Sequence, residues 1–326
     1  MALLKVNSLK KYFSAKKGFM TKPVLVKAVD GIDFSLDEDR IFGLVGESGC
    51  GKSTVARLIL RLIPPTSGKV LFQGKNVFEL NGDSLNAFRK SVQIIFQDPF
   101  ASLNPRRNIL DTISEPVKIH RIVEKRSMND KVVELLGKVG LGPDILNRYP
   151  HELSGGQRQR ICIARALAVS PKVIVADEPL SALDVSIQAQ ILNLLQELKR
   201  EYRISFLFIS HDLKVVHYFS DNIGVMYLGK IVEYAKIEDL FMEPLHPYTE
   251  LLLSSAPRIT REKETERWRK GEADMGEVPS PIDIPPGCPF HPRCPKRFEP
   301  CDKVVPVLKQ VQDQEVKERL VSCHLF

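Results

Sequence analysis

The stretch Gly46-Glu47-Ser48-Gly49-Cys50-Gly51-Lys52-Ser53-Thr54 constrains the fold more than any other part of the chain. It has the form G-x-x-x-x-G-K-[ST], a loop whose backbone N–H groups cradle nucleotide phosphates. Its surroundings suit that reading. Ile41-Phe42-Gly43-Leu44-Val45 is a short apolar run that predicts a buried strand. Thr54–Leu62 follows, with Val55, Leu58, Ile59 and Leu62 at helical spacing. A strand feeding a glycine-rich turn into a helix aims several N–H groups at one point, where the helix dipole also favours an anion. Glycine lets the backbone wrap a phosphate with no Cβ in the way. Lys52 is then expected to reach the β/γ-phosphates, and the Ser53 hydroxyl to ligate Mg²⁺. The loop implies a nucleotide phosphate but leaves open which machine uses it.

At 326 residues there is room for one large α/β domain and a smaller one. No stretch approaches the roughly 18–20 apolar residues needed to span a bilayer. The start, Met1 to Asn7, is too short and too soon charged for a signal peptide. A protein of the cytosol, or of a cytosolic membrane face, is therefore expected. The net charge of +7 suits anionic ligands or an anionic membrane surface. Nucleic acid is disfavoured, since no basic helix, aromatic stacking motif or Lys/Arg block stands out. Of the six cysteines, Cys50 lies in the loop and Cys162 in a predicted helix, while Cys288, Cys294, Cys301 and Cys323 crowd the tail. In a cytosolic chain such a cluster reads as metal or cofactor ligands before disulfides.

Taken in order, Leu3–Leu9, Val24–Val29 and Ile32–Leu36 predict strands of a small antiparallel sheet, with a basic loop over Lys16–Lys22. Tyr12 and Phe13 can each be an ordinary core aromatic; either can also offer the flat surface on which an adenine stacks. Pro64-Pro65-Thr66-Ser67-Gly68 breaks the chain. A strand pair follows around Lys69–Phe72 and Lys75–Val77, then a strand Val92–Phe96 that ends at Gln97. From about 99 to 160 the pattern turns helical and more polar, which predicts an inserted helical subdomain. Within Leu153-Ser154-Gly155-Gly156-Gln157, Ser154 and Gln157 make a capping-box pattern. The same helix start is also an anion site, and the residues alone do not choose between the two. Lys172–Glu178 is an apolar strand ending in two carboxylates, Asp177 suited to Mg²⁺ and Glu178 to an attacking water. Ile187, Ile191, Leu194, Leu195, Leu198 and Tyr202 stripe one helix face and read as core. Ile204–Ile209 is a further strand, and His211, just after it, is a candidate for a γ-phosphate contact.

Together these pieces resemble the ABC-type ATPases, because five elements occur in that family's order. They are Gly46–Thr54, Gln97, Leu153–Gln157, Asp177-Glu178 with Ser181-Ala182-Leu183-Asp184, and His211. The resemblance covers roughly residues 1–250. It implies an α/β P-loop NTPase with a RecA-like core, an antiparallel β subdomain and a helical insertion. It also implies ATP and Mg²⁺ as ligands, with residue roles to match. Lys52, Ser53, Thr54 and the loop from Gly46 through Glu47, Ser48, Gly49, Cys50 and Gly51 hold phosphates and Mg²⁺. Asp177 supports the metal, Glu178 polarises the water, His211 meets the γ-phosphate and Gln97 senses metal and water. Phe13, or Tyr12, stacks on adenine. The signature Ser154, Gly155, Gly156 and Gln157 acts in trans on the ATP of a second nucleotide domain, and Asp184 lies in the turn after the carboxylates. With one set of motifs, the chain must pair with itself or with a sister subunit.

The segments Phe96–Arg106, Ser154–Arg160, His246-Pro247-Tyr248-Thr249 and Pro279–Phe290 look more narrowly like the oligopeptide/dipeptide importer ATPases, and Gly156–Arg160 with Ser181–Asp184 like the second of two unlike ATPases in that group. That likeness implies two integral membrane permease subunits and, indirectly, an extracytoplasmic solute-binding protein. Cargo is di- or oligopeptide first, with nickel and oligosaccharide as alternatives. A soluble ABC ATPase acting on DNA or ribosomes is disfavoured by the missing coiled-coil insertion and second nucleotide domain. A metal-sensing regulator is the third reading. Residues 251–326 are expected to form an importer-type C-terminal region, and with nine of the 22 prolines between Pro279 and Pro306 that stretch is expected to be a rigid, loop-rich appendage. The spacing Cys288-x5-Cys294-x6-Cys301-x21-Cys323 lacks the close pair of structural zinc sites. It suits a four-cysteine [4Fe-4S] cluster better, which some members of the importer family carry there; zinc with His291 or His324, and no metal at all, are the alternatives.

Overall fold

The computed structural model describes residues 2–15, 24–255, 279–311 and 319–326; the basic loop expected over Lys16–Lys22 lies outside them, as does much of the stretch after 255. In chain order the elements begin β1 (Ala2–Ala15), β2 (Val24–Asp37), β3 (Ile41–Val45), α1 (Lys52–Ile59), β4 (Ser67–Phe72) and β5 (Lys75–Asn76). Next come α2 (Gly82–Ser91), β6 (Val92–Ile95), α3 (Pro99–Ser102), α4 (Ile109–Ile119), α5 (Met128–Lys138), α6 (Gly155–Leu167), β7 (Val173–Asp177) and α7 (Val185–Tyr202). The rest are β8 (Ser205–Ser210), α8 (Leu213–Phe219), β9 (Asn222–Tyr227), β10 (Lys230–Lys236), α9 (Ile237–Met242), α10 (Pro247–Ser255), β11 (Lys309–Gln310) and β12 (Leu320–Val321). The chain divides into two compact units, one of residues 2–36, 41–78 and 210–326, the other of 37–40 and 79–209.

The first unit contains the phosphate loop. Its four-stranded sheet runs β2-β1-β4-β5, with β1 antiparallel to β4 from Leu4 opposite Phe72 to Asn7 opposite Lys69. In β2 the buried side chains Ile32, Phe34 and Leu36 alternate with more exposed ones, the period-2 pattern of a strand with one covered face. Two strands were expected here, but Val24–Asp37 is one. Gly31, at φ 80, supplies the kink by which the chain bends without leaving the sheet. A second set of strands has β3 parallel to β9, which pairs antiparallel with β10. Strand β10 in turn pairs with β12, and β12 with β11. A Cβ on Gly43 would lie 2.6 Å from Val216 Cγ1 and 2.7 Å from Ser220 Oγ, so glycine is what lets α8 press on β3.

The second unit carries the carboxylate strand. β6, β7 and β8 are parallel, with Val92 opposite Val173, Val173 opposite Ser205 and Asp177 opposite Ile209. Every residue of β7 and β8 is buried, as expected of parallel strands covered on both faces. α4, α5 and α6 pack on one another, and Ile109, Ile113, Leu135, Leu136 and Ile161 on them are essentially inaccessible. Helices fill most of the stretch from 99 onward, as the sequence pattern predicts, and α6 continues past 160 to Leu167. On α7, Ile191, Leu194, Leu195 and Leu198 are buried. Tyr202, at the end of the same stripe, lies half-buried with Lys138 Nζ 4.6 Å above its ring. No helix among the described residues is long and apolar enough to cross a membrane.

Candidate functional site

The phosphate loop is built on three left-handed glycines. Gly46, Gly49 and Gly51 have φ of 153, 80 and 111, and Gly51 caps α1. A Cβ on Gly46 would stand 2.1 Å from the Met226 carbonyl oxygen, and one on Gly51 2.0 Å from that of Ala28. The loop therefore lies against neighbouring backbone at both ends and admits no side chain there. α1 begins at Lys52, two residues before the periodic run predicts, because the loop's last turn is already helical. It ends at Ile59 rather than Leu62, since Arg61 takes a left-handed conformation ahead of Pro64. Lys52 is 4 % exposed, and its Nζ donates to the carbonyl oxygens of Gly46 (2.8 Å) and Glu47 (3.1 Å). A buried ammonium needs acceptors, and these hold it inside the loop. Burial pushes the Cys50 thiol above its ordinary range, so it stays protonated.

Glu47 is committed elsewhere. Its N–H donates to the Tyr248 hydroxyl at 2.9 Å, and its carboxylate accepts both Arg293 terminal nitrogens at 2.9 and 3.0 Å. Neither partner was among the expected site residues. Tyr248 entered the sequence reading only as part of a family-like segment, and Arg293 not at all. An ion pair spanning 246 residues leaves no periodic or spacing signal in one sequence.

Of the two candidate aromatics, Tyr12 donates its hydroxyl to Asp30. Burial first, and then the Asp30 carboxylate, push that phenol up to about 12. Phe13 is 41 % exposed, with Lys11 Nζ 5.0 Å from its ring centre. His211, also in this unit, is exposed; the next residue, Asp212, caps α8 by accepting from Lys214 N–H at 2.8 Å.

In the second unit, Asp177 is buried at the end of β7. Glu178 follows with φ 46, a left-handed backbone that costs a non-glycine residue about 1–3 kcal/mol and collects at functional positions. Its N–H donates to the Ile209 carbonyl oxygen at 2.9 Å, and Ser181 Oγ donates to its own carbonyl at 3.1 Å. These contacts hold the twist, and the side chain accepts from Gln97 Nε2 at 3.0 Å. The structure thus joins two residues that the sequence places 81 apart. At the signature, the capping box is made. Ser154 Oγ accepts from Gln157 N–H at 3.3 Å, and Ser154 N–H donates to Gln157 Oε1 at 3.0 Å. Gly155 and Gly156 open α6; a Cβ on Gly156 would stand 2.8 Å from Ile187 Cγ2 of α7. Asp184 is exposed and precedes α7.

The four tail cysteines line one small enclosed cavity together with His246, Phe290, His291 and His324. All four are free thiols. Burial, and then the neighbouring cysteines, push Cys288 up to about 11 and raise Cys323 and Cys294 as well. Among the described residues no three His, Cys, Asp or Glu side chains form a group that could hold a metal ion, so the expected metal site is not formed as the side chains stand. His291 and His324, the alternative zinc ligands, contact the carbonyl oxygens of Cys288 (3.0 Å) and Val304 (2.9 Å) instead.

Residues 29–181 match the ABC transporter family, and residues 232–301 match the oligopeptide/dipeptide transporter C-terminal region. The chain is 49 % identical to the oligopeptide transport ATP-binding protein AppF of Bacillus subtilis, over 99 % of this chain and 97 % of that one. It is 48 % identical to OppF of Salmonella typhimurium, an oligopeptide transport ATP-binding protein, over 94 % and 92 % of the two chains. Against the dipeptide transport ATP-binding protein DppF of Escherichia coli the figure is 44 %, over 98 % and 93 %. Among solved structures, the ATP-binding cassette MJ0796 in a dimeric post-hydrolysis state with ADP and Pi matches with TM-score 0.64 and 27 % identity, covering 72 % of this chain and 98 % of that one. The cbiO1 subunit of Clostridium perfringens matches with TM-score 0.63 and 27 % identity, over 74 % and 91 %.

Proposed function

This chain belongs to the family of oligopeptide and dipeptide transport ATP-binding proteins of ABC transporters, and from that membership we propose that it hydrolyses Mg-ATP to drive peptide import. The single observation that carries the chemistry is the Gln97–Glu178 hydrogen bond at the end of β7, where a strained backbone aims a carboxylate beside Asp177. Glu178 orients and polarises the attacking water, and Gln97 holds that carboxylate in place and responds to metal and water. Asp177 and Ser53 support Mg²⁺. Lys52, Thr54 and the N–H groups of the loop other than that of Glu47, which is given to Tyr248, take the phosphates, and His211 meets the γ-phosphate. Phe13 stacks on adenine; its exposed ring is available, whereas the Tyr12 hydroxyl is engaged with Asp30.

Ser154, Gly155, Gly156 and Gln157 act on the ATP of a paired nucleotide domain, with Asp184 at the same junction. The pair is this chain with a related sister ATPase, docked on two permease subunits at the cytoplasmic face of the membrane and served by a solute-binding protein. Residues 1–250 form the nucleotide domain, with its helical part over about 99–160, and 251–326 the importer-type appendage. Support for the peptide cargo comes from the names of the relatives and from the C-terminal match.

The test is ATP turnover by the assembled transporter carrying Glu178→Gln. A fall of about 10²- to 10⁴-fold in kcat with ATP still bound is expected. Undiminished turnover would remove Glu178 from the mechanism.

For the appendage the finer reading is an iron–sulfur cluster. Four soft thiol donors around one cavity suit it chemically. Cys288, Cys294, Cys301 and Cys323 would be its ligands. When bound it supplies a cross-link for a segment with little apolar core of its own. Because burial raises the Cys288, Cys294 and Cys323 thiols, loading requires their protons to leave and is favoured as pH rises.

A further inference from the structure

We propose that Arg293 and Tyr248, from the C-terminal region, are positioning residues of the phosphate loop, so that this region sets the affinity for ATP. The inference rests on the reading that the loop binds ATP. Glu47 is the second residue of the loop. Its two polar groups face not a phosphate site but two C-terminal side chains, the Tyr248 hydroxyl and the Arg293 guanidinium. The ion pair is bidentate, and its Arg293 side chain is only 9 % exposed, so it is shielded from the screening that weakens surface pairs. Glu47 first, through that contact, holds the guanidinium firmly protonated.

Both partners are themselves anchored. Phe290 is buried, its ring 5.4 Å from those of Tyr227 and Tyr248, and Arg293 N–H donates to the Phe290 carbonyl oxygen at 3.0 Å. The turn His291–Arg293 therefore presents its guanidinium from a packed base. Lys296 pairs with Glu250 of α10, which ties the same turn to the helix that carries Tyr248.

The consequence is physical rather than topological. A glycine-rich loop loses much conformational freedom when it closes on a phosphate, and that cost is subtracted from binding. Fixing Glu47 by its N–H and its carboxylate removes part of the freedom before the nucleotide arrives. Arg293 and Tyr248 touch no reacting atom in this account. They act through Glu47, so their loss should weaken binding and leave the chemical step alone.

The experiment measures Kd for Mg-ATP with the full chain, and KM and kcat with the assembled transporter, for Arg293→Gln, Glu47→Gln, the double variant, Arg293→Lys and Tyr248→Phe. Melting curves accompany each. Arg293→Gln and Glu47→Gln should each raise Kd roughly five- to thirtyfold, and Arg293→Gln should raise KM to match with kcat at saturating ATP unchanged. The double variant should be no worse than the weaker single, because both remove one pair. Arg293→Lys should recover part of the affinity, and Tyr248→Phe should show a smaller rise of the same kind. Additive effects in the double variant, a fall in kcat at constant KM, or wild-type affinity throughout would each overturn the proposal. If Arg293→Gln does not fold, Tyr248→Phe decides alone, and wild-type Kd there counts against it. Lys52→Ala runs in parallel. Should Lys52→Ala bind ATP as the wild type does, the ATP reading of the loop fails; should it lose binding while the Arg293 and Tyr248 variants do not, only the present inference fails.

Discussion

Tyr12 and Phe13 are neighbours of similar size, yet their surroundings give them different work. Tyr12 spends its hydroxyl on Asp30 and is half-buried; Phe13 keeps an exposed face. Stacking energy depends on an available ring, so Phe13→Ala is expected to weaken Mg-ATP binding about two- to tenfold, whereas Tyr12→Phe should leave it within about twofold. Titration with a fluorescent ATP analogue separates the two, and the reverse ranking would transfer the role to Tyr12. Glu178 teaches a related lesson. Its acidity and its place after an apolar strand are visible in the chain, but its left-handed backbone is imposed by Ile209 and Ser181, which a linear reading does not bring together.

At the scale of elements, α10 opens with the turn His246-Pro247-Tyr248. His246 is 1 % exposed, and its Nδ1 accepts from Tyr248 N–H at 3.0 Å. Burial holds its imidazole down to about 3, against an ordinary 6.5. The folded chain therefore keeps this ring neutral while the unfolded chain takes up a proton near its ordinary value. The sign follows. His246 costs the fold nothing above about pH 6.5, and stability drains at about 1.4 kcal/mol per pH unit as the pH falls from there towards 3. By pH 5 the loss is about 2 kcal/mol. The melting temperature of the wild type should fall more steeply between pH 7 and 5 than that of His246→Gln; parallel slopes would show that other groups dominate. Strand β7 and helix α7 were legible because their apolar periods match what buries them. β2 is a single strand where the sequence predicts two, because Gly31, at φ 80, bends the chain within a continuing strand.

At the scale of the molecule, the cysteine-lined cavity and the phosphate loop belong to the same unit of the fold, joined through Phe290, Arg293 and Tyr248. Protein purified without oxygen should carry about four irons with matching sulfide and a broad absorption band near 400 nm, all lost in Cys301→Ser. One zinc per chain, or no metal, would overturn the cluster and leave the appendage held by its packing.

Much of this protein is written locally. The glycines of the phosphate loop, the carboxylates closing an apolar strand, the helix-capping signature and the proline-rich tail each carry their chemistry within a few residues. Local spacing is enough because strand, loop and helix periods decide which groups point together. Contacts between distant segments are another matter. Gln97 meets Glu178, the four cysteines share a cavity, and Arg293 reaches back across 246 residues to grip Glu47. Each depends on long-range packing that closes large loops of chain, and it was that packing which turned Glu47 from an expected phosphate neighbour into the handle by which the C-terminal region holds the loop.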